Sequence, residues 1–219
     1  MSFLPLYVYF IFFSFVTSLS VYFFSKSSFF YLKLFPPFLL ATLIAEIVGS
    51  YLSALRKPNV AIYNFFTVFE FCFYLYVISL IISNRKMKNT LLIVIALYSL
   101  TAVMNIVFFQ GMGSFHTLTY AFGCLLIVGA CMYYFFELFK FPNSIDLKTN
   151  PAFWICSGLL FFYCCGFPLF GFTNLIAGIS KLIMRNLYRL IIILNIFLYT
   201  LFAVGFICQL KVKKYTLLR

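Results

Sequence analysis

Long apolar runs and short polar breaks alternate along the chain, and the pattern yields seven runs. Each run is long enough to cross a bilayer, since a spanning helix needs about 20 apolar residues to cover about 30 Å of hydrocarbon. The runs are continuous. They lack the roughly ten-residue alternation of a membrane barrel, so the pattern predicts helices. The spans fall at about 3–24, 34–55, 60–82, 89–110, 115–139, 151–172 and 186–210. Breakers and charges mark the connections: Pro36-Pro37, Arg56-Lys57-Pro58-Asn59, Asn84-Arg85-Lys86, Gly111-Met112-Gly113-Ser114 and Phe141-Pro142-Asn143-Ser144. The last of these opens the longest hydrophilic connection, which ends at Asn150-Pro151. The expected fold is all-α: a polytopic integral membrane bundle, one transmembrane domain over residues 1–219. Residues 172–186 leave three options open: a loop, an extension of the sixth helix past a kink at Pro168, or a re-entrant piece.

Composition excludes a water-soluble globule. Of 219 residues, 65% are hydrophobic and 9% charged, so too little polar surface remains to face water. The formal charge of +12 would suggest nucleic acid in a soluble protein. Here the basic residues sit at span ends, where they read as topology signals and contacts to anionic lipid, with no nucleic acid partner. The first segment has no basic n-region, and its apolar run exceeds an ordinary signal-peptide core. It reads as a retained span with the N-terminus outside.

With that start, the inner side carries Lys26, Lys33, Arg85, Lys86, Lys88, Lys140, Lys148, Lys211, Lys213, Lys214 and Arg219. The outer side carries Arg56, Lys57, Lys181, Arg185 and Arg189. The positive-inside rule then places the C-terminus in the cytoplasm.

Ionisable residues within spans are costly, and each is a functional candidate by default. Glu46 and Glu70 fall near the middle of the second and third spans, which a tight turn makes antiparallel neighbours. Thr42, Glu46, Gly49 and Ser53 share a stripe of one helix, and Tyr63, Thr67, Glu70 and Tyr74 share a stripe of the other. Two polar stripes that each carry a carboxylate predict a polar centre that senses a proton, a cation or a ligand. The structural alternative is a hydrogen bond across the bundle, with Asn64, Asn105 or a tyrosine hydroxyl as partner. His116 opens the fifth span. His116, Tyr120, Gly123, Ala130, Cys131 and Tyr134 share one face, and a boundary residue is the plainer reading of the histidine. Glu137 reads as snorkelling or paired with Lys140. Asn195, Tyr199 and Gln209 share a face of the last span and read as helix-to-helix glue.

Other chemistry is not signalled. All seven cysteines lie inside apolar runs, with no C-x-x-C and no Cys/His cluster, so neither a disulfide framework nor a metal site is predicted. They read as small packing residues. No phosphate loop, nucleophile elbow or zincin motif occurs, and no cofactor is implied. The last span contains no lysine between 186 and 210, which excludes a retinal Schiff base there.

The segments Glu46-Ile-Val-Gly-Ser, Asn64-Phe-Phe-Thr-Val-Phe-Glu70, His116-Thr-Leu-Thr-Tyr-Ala-Phe-Gly and Pro151-Ala-Phe-Trp-Ile-Cys-Ser-Gly-Leu-Leu-Phe-Phe-Tyr resemble a seven-helix membrane module of Bacteroidetes-type bacteria. That module stands alone or precedes a cytoplasmic histidine kinase. The resemblance implies a sensory or signal-relaying domain of the bacterial inner membrane. The chain stops about nine residues after the last span, without a dimerisation helix or ATP-binding domain. Output is therefore expected from another chain, through a homo-oligomer or a second membrane protein. Two other classes compete: a small transporter or channel on a three-plus-one-plus-three plan, and an intramembrane lipid-modifying enzyme using Glu46, Glu70 and His116. Reconstituted flux and lipid turnover would separate them.

Orientation is directly testable. Reporter fusions at residue 144 and at the C-terminus are both expected to report cytoplasm; a periplasmic signal at either overturns the basic-residue argument.

Overall fold

The computed structural model describes residues 4–24, 29–111, 113–140, 147–171 and 181–216. Among them there is no strand. Seven helices are long and apolar enough to span a membrane, and the chain is an all-α, multi-pass membrane protein. The helices are α1 (Leu6–Phe24), α2 (Phe30–Ala54), α3 (Val60–Ile81), α4 (Arg85–Met104), α5 (Thr117–Lys140), α6 (Pro151–Gly171) and α7 (Lys181–Thr216). Helices suit this sequence because hydrocarbon offers no partner for backbone N–H and C=O groups, and a helix pairs them internally.

Several boundaries differ from the sequence reading, each for a local reason. Pro36-Pro37 is not a connection. A short helical turn at Phe30–Lys33 leads into Phe35–Ala54, whose first turn holds both prolines. A first-turn residue needs no N–H donor, so proline fits there. Asn84 is the N-cap of α4, its side chain accepting from the Lys86 and Met87 N–H groups at 2.9 and 3.4 Å, and Arg85 and Lys86 are helical. Helix α6 runs through Pro168 to Gly171. Residues 181–186 belong to α7; residues 172–180 and 141–146 lie outside the described set. Helix α2 ends as the sequence expects, ahead of Pro58. Arg56 takes a positive φ of 54°, its N–H reaching Ser53 O at 3.0 Å while the Lys57 N–H reaches Leu52 O at 2.9 Å. This is a Schellman closure with arginine where glycine is usual.

The helices do not pack as a uniform bundle. Helix α1 packs on α2 and α7, α7 on α6, α6 on α5, α5 on α3, and α3 closes the circuit sparsely onto α2. Six helices thus form a ring. Helix α4 stands outside it, packed chiefly on α3, and has the smallest buried share of the seven. Its C-terminal end widens into a π-turn over Asn105–Phe109.

The ring interior differs between its two halves. Where the end of α3 and the start of α2 meet α7, aromatic side chains fill it. Phe38 stacks on Phe73 at 3.8 Å between centroids and meets Tyr74 edge-on at 5.1 Å. Phe35 meets Phe202 and Phe206 at 5.4 and 5.2 Å, and Tyr74 meets Phe202 at 5.9 Å and Tyr163 at 6.0 Å. Phe35, Phe38, Tyr74, Tyr163, Phe202 and Phe206 are all fully buried. Edge-to-face contacts of this kind contribute about 0.5–1.5 kcal/mol per pair beyond area burial. They form a dry aromatic plug.

Close approach at the ring wall depends on Gly123 of α5. A Cβ there would stand 2.8 Å from atoms of the fully buried Phe71 ring. Gly123→Ala is expected to destabilise the protein by about 1–3 kcal/mol through overpacking. Gly129→Ala, on the same helix with nothing within 4 Å of the new atom, is expected to be neutral or stabilising, since alanine favours helix by up to about 1 kcal/mol. Thermal unfolding of the two purified variants in one detergent checks the contrast.

A candidate intramembrane binding cavity

Above the plug the ring is open. A cavity of about 470 Å³ is lined by all six ring helices. Tyr7 comes from α1, Thr42 and Glu46 from α2, Val60, Tyr63, Thr67 and Glu70 from α3, Tyr120 from α5, Phe162 from α6, and Tyr188, Asn195 and Tyr199 from α7. Phe66 and Phe115 complete its aromatic walls. It reaches from Val60, the first residue of α3, to Glu70, ten residues deeper; at 1.5 Å per residue that is about 15 Å, roughly half the hydrocarbon thickness. Tyr188 at the rim is half-exposed.

The two carboxylates share this cavity but hold different company. Glu46 accepts the Tyr7 hydroxyl at 2.7 Å and the Tyr63 hydroxyl at 3.4 Å, both on Oε2. Tyr63 can lie that close to α2 because Gly49 has no side chain. A Cβ at Gly49 would collide with the Tyr63 hydroxyl and stand 2.7 Å from its Cζ. The same glycine's carbonyl accepts from Asn59 Nδ2 at 3.1 Å, which pins the α2–α3 turn. Glu70 lies beside Tyr74 and Tyr163 and within electrostatic range of Glu46. The Tyr74 and Tyr163 hydroxyls are buried and have no hydrogen-bond partner within bonding distance. Both glutamates are half-buried, and their exposed part faces the cavity they line. The sparse contact between α2 and α3 has the same cause, since this space lies where their polar stripes meet.

Thr42 and Thr67 stand with the glutamates in the lining, while Tyr74 lies below Glu70 as the top of the plug. Asn195 lines the cavity, and its Nδ2 donates to Ile191 O of its own helix at 2.9 Å. Tyr120 lines the cavity next to Phe115. Asn64 and Asn105 are not brought to it. Asn64 donates to Ser114 O at 2.9 Å and accepts from the His116 N–H at 3.0 Å, clamping the α4–α5 connection. Asn105 sits on the peripheral α4 and donates to Gln110 and Thr119 at 2.9 and 2.7 Å, tying the π-turn to the start of α5. Of the three partner types the sequence suggests for the glutamates, the structure supplies tyrosine to Glu46.

His116 is buried. Its Nε2 lies 2.7 Å from Gly111 O, its Nδ1 has no partner, and it adjoins a void of about 10 Å³ shared with Asn64 and Thr67. Glu137 lies at the opposite end of the bundle. Its two oxygens accept the Ser83 and Asn84 N–H groups at 2.9 and 3.0 Å, holding the α3–α4 connection, and Lys140 Nζ stands 5.7 Å over the Phe136 ring. The residues that sequence reasoning missed are the tyrosines of other helices, Tyr7, Tyr163 and Tyr188. A tyrosine in an apolar, aromatic-rich run carries no periodic signal that tells a cavity hydroxyl from an interface ring. The described residues contain no cluster of three or more metal-ligating side chains.

No protein-family model, curated relative or solved structure matches the chain. The geometry therefore stands alone.

The clamp role of Asn64 is testable. Asn64→Ala leaves a buried N–H and a carbonyl unpaired, which costs about 1–3 kcal/mol. Lower thermal stability and faster amide exchange at residues 114–117 are expected; unchanged exchange there would remove the clamp.

Proposed function

We propose that this chain is a non-enzymatic membrane module that binds a small molecule in the ring cavity and relays its occupancy to a partner chain. The carrying observation is the lining itself: an occupant of one 470 Å³ space touches six of the seven helices. The volume falls within the range of ordinary ligand sites. A ligand that prefers one packing of those helices shifts the whole ring toward it. Tyr74 supports the relay, because it links Glu70 to Phe38, Tyr163 and Phe202 of the plug.

The partner is a second copy or another membrane protein. Exposed aromatic flanks such as Phe23 and Phe24 of α1, and Phe108 and Phe109 after α4, support this reading. So does the resemblance to kinase-linked seven-helix modules. The basic residues at the span ends contact anionic lipid, and their asymmetry supports an inner-membrane setting with the N-terminus outside. One observation favours the carrier reading: α4 alone stands outside the ring, between α1–α3 and α5–α7, as a three-plus-one-plus-three plan requires.

Capture of the full chain from its own membranes after mild solubilisation tests the relay. A specific partner or a homo-oligomer is expected, and Thr67→Trp, which fills the cavity, is expected to change the amount recovered. Recovery of free monomer alone overturns the relay reading, and solute flux in proteoliposomes would then establish the carrier.

A further inference from the structure

Within the cavity, charge and shape point the same way. Two acidic residues, Glu46 and Glu70, face one space within the ring, and the described residues that line it include no lysine, arginine or histidine. Arg185 and Arg189 of α7 are exposed and stand outside the lining. Two acids within electrostatic range of one another, with no cation among the described residues of the wall, are costly to hold ionised together at mid-membrane depth, and either a proton or a bound cation offsets that cost.

The rest of the wall fits a particular kind of cation. Tyr63, Phe66, Phe115, Phe162 and Tyr199 line the space, and aromatic rings attract organic cations through the negative quadrupole of their faces. A bare metal ion needs six or more oxygens in a tight shell when it is hard and divalent, and no group of three acidic or metal-ligating residues converges among the described residues. The volume is also far larger than an ion requires. Behind the deep end, the buried Tyr74 and Tyr163 hydroxyls lie beside Glu70, outside the cavity lining and beyond hydrogen-bonding distance of a described partner. At the shallow end, Oε2 of Glu46 is already occupied by Tyr7 and Tyr63. That commits Oε2 of Glu46 to two phenol donors, while Glu70 has only the more distant Tyr74 and Tyr163 hydroxyls beside it among the described residues.

We propose that the cavity recognises a small organic amine in its ammonium form, with the nitrogen held at Glu70 and the carbon body against the aromatic walls. Glu46 contributes long-range attraction from the shallower end. This assignment rests on the reading of the cavity as a ligand site and narrows its occupant to one chemical class.

Three probes of similar shape separate the two levels: 2-phenylethylammonium, the neutral 2-phenylethanol and the anionic 3-phenylpropanoate. Their binding to the purified full chain in lipid nanodiscs at pH 7 is measured by calorimetry. The ammonium is expected to bind at least about 10-fold tighter than the alcohol, with the carboxylate weakest. Glu70→Gln is expected to weaken the ammonium at least about 10-fold more than the alcohol, and Glu46→Gln to lower that ratio less. Retained alcohol binding certifies that each variant is folded. If the alcohol binds as tightly as the ammonium, or the Glu70→Gln ratio equals that of the unaltered chain, the ammonium class is overturned. Loss of alcohol binding in Phe162→Trp would still support the cavity as a site. If no probe binds, both the class and the site reading fall.

Discussion

A carboxylate at mid-depth in a bilayer is the constraint to which this architecture answers. Hydrocarbon exacts roughly 2.5–3.5 kcal/mol for a charged side chain at a helix centre even on the lenient insertion scale. This chain carries two such residues, Glu46 and Glu70, on helices adjacent in sequence. They are accommodated by a ring that turns them inward and lines their space with phenols. Tyr7 of the first helix and Tyr63 of the third converge on one oxygen of Glu46. The close approach that permits it depends on Gly49, where any side chain would displace Tyr63. The aromatic plug below then keeps the polar half of the ring separate from the dry half.

The polar residues that hold the connections differ from those that line the cavity in the partner each has found. Asn64, Asn84 and Glu137 are satisfied by backbone groups of a connection, at 2.9–3.4 Å. Asn105 closes a local side-chain network with Gln110 and Thr119. Asn64, Asn84 and Glu137 hold turns in place by pairing backbone groups that the helices leave unmet at their ends. Glu46 and Glu70 differ, since the groups around them are tyrosines of other helices and a shared space. His116 lies between the two groups. One ring nitrogen is on Gly111 O, the other is unpartnered, and Thr67 connects its small void to the main cavity.

The helical, seven-span character was legible because hydrophobic length is a one-dimensional signal. The inward placement of Thr42, Glu46, Thr67 and Glu70 was visible in helical periodicity for the same reason: residues three and four apart share a face. Information that depends on which helices meet was not visible. Tyr7 is 39 residues from Glu46 in sequence, and nothing local distinguishes it from Tyr9, which is more than half exposed. Asn105 looked equivalent to Asn64 as a glutamate partner until α4 proved to stand outside the ring. Terminal details failed where a residue type has two uses. Proline breaks a helix in its middle and starts one at its first turn, and asparagine marks both a loop and an N-cap.

The asymmetry between the two halves of the ring bears on how a binding event could travel. Dispersion contacts in a close-packed aromatic cluster are not continuously adjustable; rings either keep their edge-to-face seats or exchange them for others. Tyr74 occupies the boundary, with its hydroxyl beside Glu70 and its ring against Phe38, Tyr163 and Phe202. Those rings belong to α2, α6 and α7, the walls farthest from α3 along the ring or across its sparse seam. A hydrogen bond gained or lost at that one hydroxyl therefore acts on the packing of four helices at once. Its leverage is greatest where α2 and α3 touch least, because a seam with few contacts resists displacement least. A polar cavity set directly on an aromatic plug is thus the arrangement through which the proposed relay would act on helix packing.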